Sequence, residues 1–285
     1  MRQAGFAARS RGTSLWSHTS PDASACLTAL DRLLLLAPTI AALFFGLAAL
    51  LVAVPFAHLA GYAGNDQFFY WLAGAATLGY GIALAVGIRE ESWRGLRAVV
   101  IAEVVFNLLA LFACALELIG GTATGIVSVI TVASLAQLAI AVGLLVEHRA
   151  APFGPADLPG GWAALAVMAI AIVAASVFGL LGAFLPVATT HFFGYRGAEV
   201  FLYRVAGAAT LGYAIMGLCN VRSRNWHEVR LPVLMASVFN GVSFVAALRA
   251  ILQGDPLLMP IIVAVATFAV TVPMLYGFIT TRTSD

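Results

Sequence analysis

The sequence predicts an all-α membrane bundle of eight transmembrane helices, arranged as two four-helix repeats in the same orientation. Three observations lead there. Of the 285 residues, 62% are hydrophobic and 10% charged, whereas soluble domains carry about 45–50% and about 25%. From Arg32 onward, apolar stretches alternate with short polar connections, each stretch holding the roughly 20 residues that cross a hydrocarbon layer about 30 Å thick. Finally, an eight-residue segment recurs unchanged 133 residues downstream.

Residues 1–31 are polar and rich in Ser, Ala and Arg, without the apolar core of about 7–15 residues that a signal peptide needs. A disordered cytoplasmic tail is expected there. The apolar stretches fall at 33–57, 70–88, 98–119, 124–146, 163–188, 200–221, 231–253 and 258–280. Backbone polar groups in lipid must be satisfied within the segment, and these runs are too long and too uniformly apolar for barrel strands, so each is expected to be a helix. The expected organisation is a first membrane repeat over 32–146, a cytoplasmic linker over 147–160 marked by Pro152, Pro155 and Pro159, and a second repeat over 161–285.

Arginine sets the orientation, since the chain has no lysine. With the N-terminus inside, twelve arginines lie on the cytoplasmic side and three, Arg196, Arg204 and Arg249, on the other. That bias places both termini in the cytoplasm. Cys26, Cys114 and Cys219 are three in number and widely spaced, which excludes a disulfide framework and a structural zinc site.

The recurring octapeptide is Ala73–Tyr80 and Ala206–Tyr213. Extending its register without gaps over 45–113 and 178–246 gives 27 identities in 69 positions, among them His58 with His191, Trp93 with Trp226 and Asn107 with Asn240. Composition bias toward Ala, Leu and Val does not pair Trp, His and Asn. Four spans return the chain to the side it started on, so the repeats are parallel and related by an axis along the membrane normal.

Few residues within the spans carry chemistry. Ala75 with Gly79, and Ala208 with Gly212, present small side chains at four-residue spacing and allow close helix approach, with Tyr80 and Tyr213 beside them as hydrogen-bonding groups. Asn107 and Asn240 suit interhelical amide bonds or a polar path lining. Glu103, one helical turn before Asn107, is an ionisable group well inside a span, which defaults to a functional hypothesis. The second repeat has Ala236 there. Glu117, Arg204 and Arg249 lie near outer helix ends, where they snorkel or pair. Trp93 and Trp226, each flanked by arginines, suit a lipid headgroup anchor. His58 and His191 open a repeated His-x-x-Gly-Tyr-x-Gly on the outer face; two imidazoles alone make an incomplete metal site.

Arg204, Gly207, Ala208, Leu211, Gly212, Arg222, Trp226 and Arg230 together resemble a four-helix module of bacterial membrane proteins, similar to the DoxX-like group. The first repeat departs from it at Trp71, which stands where Arg204 does. The resemblance covers helices two and three of each repeat. It implies a fold and a bacterial inner-membrane setting, and carries over no catalytic residue and no cofactor.

Three functions compete on the sequence. One is a small-molecule or ion permease using the interface between the repeats, lined by Tyr80, Tyr213, Asn107 and Asn240 with Glu103 as coupling group. The others are an accessory scaffold for a partner protein, and a membrane redox or metal protein resting on His58 and His191. Enzyme chemistry lacks a nucleophile–base pair, metal cluster or phosphate loop. Lipid is the expected surrounding, and a net charge of +2 gives no footing for nucleic acid.

Overall fold

The computed structural model describes residues 26–282 apart from 123, 152, 153, 157, 159 and 160, and the side chains within that range except those of 161–163 and 274–282. Most of the expected tail, residues 1–25, and part of the expected linker lie outside it.

The chain is all-helical over the described residues. Its helices are α1 (Ala29–Leu51), α2 (Ala53–Leu59), α3 (Gln67–Arg89), α4 (Trp93–Ile119), α5 (Gly125–Glu147), α6 (Gly161–Phe184), α7 (Pro186–Phe192), α8 (Val200–Ser223), α9 (Trp226–Gln253) and α10 (Leu258–Arg282). Among the described residues, seven helices are long and apolar enough to cross a membrane: α1, α3, α4, α5, α8 and α9 over their full lengths, and α6 from Ala164. The chain is therefore a polytopic helical membrane protein. In α10 the described apolar stretch is Leu258–Pro273.

Helix ends follow local chemistry. Thr28 and Asp31 form a reciprocal capping box at the start of α1, and the Ser92 and Asn225 side chains accept the Gly95 and Glu228 amides at the starts of α4 and α9. Gly254 ends α9 in the left-handed region at φ 81°.

Two expected stretches, 33–57 and 163–188, prove to be broken. Val52 (φ −132°, ψ 42°) separates α1 from α2, and Leu185 (φ −125°, ψ 44°) separates α6 from α7. The cause is Pro55 and Pro186: a proline has no amide to donate and its ring collides with the carbonyl four residues back, so each long helix stops short of it.

The four helices α3, α4, α8 and α9 form the centre. There α3 packs on α9 and α4 on α8, with α4 against α9 and α3 against α8 closing the group. Outside it, α1 lies on α3 and α6 on α8, while α5 lies on α4 and α10 on α9. By contrast, α1 barely touches α5, and α6 barely touches α10. The outermost faces are apolar and exposed, as with Ile40, Phe44, Leu47 and Leu51 on α1, and Ile261, Val265, Phe268 and Val272 on α10. Spacings of three and four residues make each set one stripe facing lipid.

Glycine permits the α1–α3 and α6–α8 contacts. A Cβ on Gly46 would lie 2.8 Å from the Leu78 amide, and one on Gly179 would lie 2.9 Å from the Leu211 amide. At Gly207 a Cβ would come within 2.3 Å of the Ala183 amide and 2.7 Å of the Gly182 carbonyl carbon. Since backbone cannot swing aside, Gly207→Ala is expected to destabilise by about 1–3 kcal/mol through overpacking. Gly143, whose added Cβ would meet nothing within 4 Å, is the control: Gly143→Ala is expected to be neutral or to stabilise by up to about 1 kcal/mol, because alanine favours helix. Unfolding midpoints of the two variants in bicelles check this, and equal midpoints would refute the close-approach account.

Candidate ligand cavities and the tyrosine interface

Tyr80 on α3 and Tyr213 on α8 meet edge to face where the two halves of the chain abut, with ring centroids 5.4 Å apart. Each hydroxyl reaches a glycine of the opposite helix. A Cβ on Gly212 would lie 2.2 Å from the Tyr80 hydroxyl, and one on Gly79 would lie 2.4 Å from the Tyr213 hydroxyl. The Tyr213 hydroxyl donates to the Ala76 carbonyl at 3.0 Å. Phe106 stacks on Tyr80 at 5.9 Å and Phe239 lies against Tyr213 at 4.6 Å. The space in which a path between the halves was expected is thus filled by packed rings.

Two cavities lie to either side of this wall. The smaller, about 150 Å³, sits among α1, α3, α4 and α5 and is lined by Thr77, Tyr80, Glu103, Phe106 and Asn107. The larger, about 180 Å³, sits among α6, α8, α9 and α10 and is lined by Thr210, Tyr213, Ala236, Phe239 and Asn240. Phe201, Leu202 and Val205 of α8 wall the first, and Phe69 and Leu72 of α3 wall the second, so each half closes the other's cavity. Both linings are mostly apolar and both cavities are partly open to the outside.

The two linings differ at several paired positions, three of which are polar in the first cavity. Glu103, Ser134 and Gln137 of the first cavity stand where the second has Ala236, Thr267 and Val270. Glu103 is 5% exposed, and its carboxylate accepts no hydrogen bond from any described residue. Asn107 is fully buried; its amide donates to the Glu103 carbonyl at 2.8 Å, which leaves its Oδ1 without a partner. Asn240 donates likewise to the Ala236 carbonyl at 2.7 Å. Neither amide makes the interhelical bond expected of it, because the nearest carbonyl is one turn back on its own helix.

Glu117, Arg204 and Arg249, toward the end of the bundle that holds the loops before α3 and α8, find partners across the halves. Arg204 pairs with Glu117 at 3.3 Å, and the Arg249 guanidinium lies over the Trp71 ring at 4.3 Å. His58 and His191 are exposed, on α2 and α7, and His191 Nε2 lies 3.1 Å from the Arg196 carbonyl oxygen. Neither belongs to a cluster of three metal-ligating groups among the described residues. Gly61 and Gly194 (φ 85° and 84°) turn the chain after each of them.

Sequence reasoning missed two clusters. The first clasps together the loops that lead into α3 and α8. Asp66 and Glu199, immediately before α3 and α8, are 2% and 1% exposed. Glu199 accepts the Asn65 amide at 2.8 Å, and the main chain of Arg196 hydrogen-bonds the Asp66 carboxylate. Tyr62 stacks on Phe201, and Tyr195 on Phe68, in the same exchange. A signal was present, since Asp66 and Glu199 align at the 133-residue offset as acid with acid. The second cluster lies at the opposite end. Asp31 Oδ2 accepts the Thr28 amide and sits 3.1 Å from His148 Nε2, whose ring stacks on Trp93 at 4.5 Å. Ligand atoms of Asp31, Glu147 and His148 come within 4.8 Å of one another. Trp93 is 1% exposed, so it is a packed residue and no headgroup anchor. No sequence spacing joins residues 31, 93 and 148.

No family model, curated protein or solved structure matches the chain.

Burial raises the Asp66 carboxyl above the usual carboxylate range, against the pull of the Arg196 main chain and with Glu199 and Asp255 adding to the rise. A raised folded pKa means that the folded state holds the proton more firmly. The stability from Asp66 is therefore complete below the unfolded value of about 3.9 and falls as pH rises from there through the raised value. The unfolding free energy of the wild type minus that of Asp66→Asn is expected to decrease across that window and level off above it. Denaturant midpoints in detergent over a pH series measure this, and a difference that does not change with pH would contradict it.

Proposed function

We propose that this is a bacterial plasma-membrane protein of eight spans, two parallel four-helix repeats with cytoplasmic termini, that binds small and mainly apolar molecules in one cavity per repeat. The carrying observation is the correspondence of the two linings. Residues such as Thr77, Tyr80, Phe106 and Asn107 of one cavity reappear 133 positions later as Thr210, Tyr213, Phe239 and Asn240 of the other. Empty volume kept at the same place in both halves is what a binding role explains and plain packing does not, since well-packed interiors hold few voids larger than water.

The same correspondence underlies the repeat itself, along with helix breaks at Val52 and Leu185 and glycines at matching φ in the outer turns. A permease reading keeps the small molecule but moves its site from the interface between the repeats into each repeat. The slight α1–α5 and α6–α10 contacts make these seams the natural entrances from the bilayer. The resemblance to the DoxX-like module agrees with a four-helix unit as the functional piece.

A dry apolar cavity of about 150 Å³ binds benzene-sized molecules, so iodobenzene is a suitable probe. Crystals soaked with it are expected to show one iodine in each cavity. Ala42→Trp, in the first lining, removes one site, and Ala175→Trp, in the second, removes the other. Iodine bound only on the outer surface would overturn the reading.

A further inference from the structure

The two cavities share many lining residues, and Glu103 is the one charged residue in either lining. Glu103 puts a carboxylate, 95% buried and without a donor, on the wall of the first cavity, where the second has Ala236. No Arg or His lines that cavity. We infer that the first cavity is a site for a small hydrophobic organic cation, held by the Glu103 carboxylate within an aromatic surround, whereas the second takes neutral molecules. This rests on the cavities being binding sites, and names what one of them selects.

Three physical points support it. A carboxylate in a low-dielectric site is costly unless a cation offsets it, and among the described residues none does. The remaining wall suits a cation with an apolar body: Tyr80, Phe106, Phe45, Phe56 and Tyr70 line the same space. Aromatic faces attract organic cations, most strongly when both are desolvated. Moreover, the unpaired Asn107 Oδ1 and Gln137, where the second cavity has Val270, add acceptors of the right sign. The wall as a whole is mainly apolar and aromatic, which suits a cation with an apolar body better than a metal ion that keeps several waters. A compact cation with an apolar ring fits the volume of about 150 Å³.

The test uses two molecules of nearly the same shape, benzyltrimethylammonium and its uncharged counterpart neopentylbenzene. Binding is measured by equilibrium dialysis against the full-length protein in phosphatidylcholine nanodiscs, with empty nanodiscs subtracted. The wild type is expected to bind one benzyltrimethylammonium. Glu103→Gln should weaken that binding by about tenfold or more and leave neopentylbenzene unchanged, the latter also showing that the variant is folded. Ala236→Glu should add a second cation site. Equal cation affinity in wild type and Glu103→Gln, with neopentylbenzene still bound, overturns the cation assignment and leaves the cavity reading standing. Binding of neither molecule above the empty nanodiscs overturns both.

Discussion

The reciprocal fit of two tyrosines into two glycines governs this structure. Tyr80 and Gly79 are neighbours on α3, and Tyr213 and Gly212 on α8. Each hydroxyl occupies the space a Cβ would take on the opposite glycine, so one contact brings the other with it. In a bilayer, burial of apolar surface offers little net drive for helices to associate, and close packing at small residues takes its place. The Tyr213 hydroxyl bond to the Ala76 carbonyl adds a fixed register. With α3 and α8 locked at this point, α4 and α9 complete the centre, and α1, α5, α6 and α10 are left on the outside facing lipid.

The position of the cavities follows from the same fit. Each tyrosine ring also lines the cavity of its own half, with Phe106 or Phe239 packed on it. Beside each cavity Gly74 or Gly207 holds α3 or α8 close to α1 or α6, while the α1–α5 and α6–α10 seams stay loose. The clasp of Asp66 and Glu199 ties the halves at one surface, and the Glu90–Arg230 pair, at 2.5 Å, ties them at the other. A wall held at both ends and in the middle separates two chambers whose chemistry can then diverge, and Glu103 is where it has diverged most.

Much of this was legible in the residues. Hydrophobic length predicted the apolar stretches, because in lipid a helix must satisfy its own backbone. Where the reading fell short, the reason was local or tertiary. Val52 and Leu185 break expected continuous stretches, and Pro55 and Pro186 were visible as the cause. Asn107 and Asn240 were rightly singled out as polar residues inside spans, but a carbonyl one turn away on the same helix outcompetes a partner on another. Trp93 has the flanking arginines of an interfacial anchor, yet it is buried against His148, a residue 55 positions away. Tyr80, Tyr213, Glu103 and both asparagines do line cavities, though these lie to either side of the tyrosine contact and not as one path between the halves.

By itself the sequence determined the helical class, the approximate limits of the membrane-crossing segments and the pairing of positions at an offset of 133, since hydrophobic length and identity are properties of the chain read in one dimension. Tertiary structure alone decided which side of Tyr80 and Tyr213 is filled and which is open, and that Glu103 faces a cavity instead of a neighbouring helix. Those outcomes depend on which face of each helix meets another, and that is set by contacts such as Tyr80 with Gly212, between residues 132 positions apart.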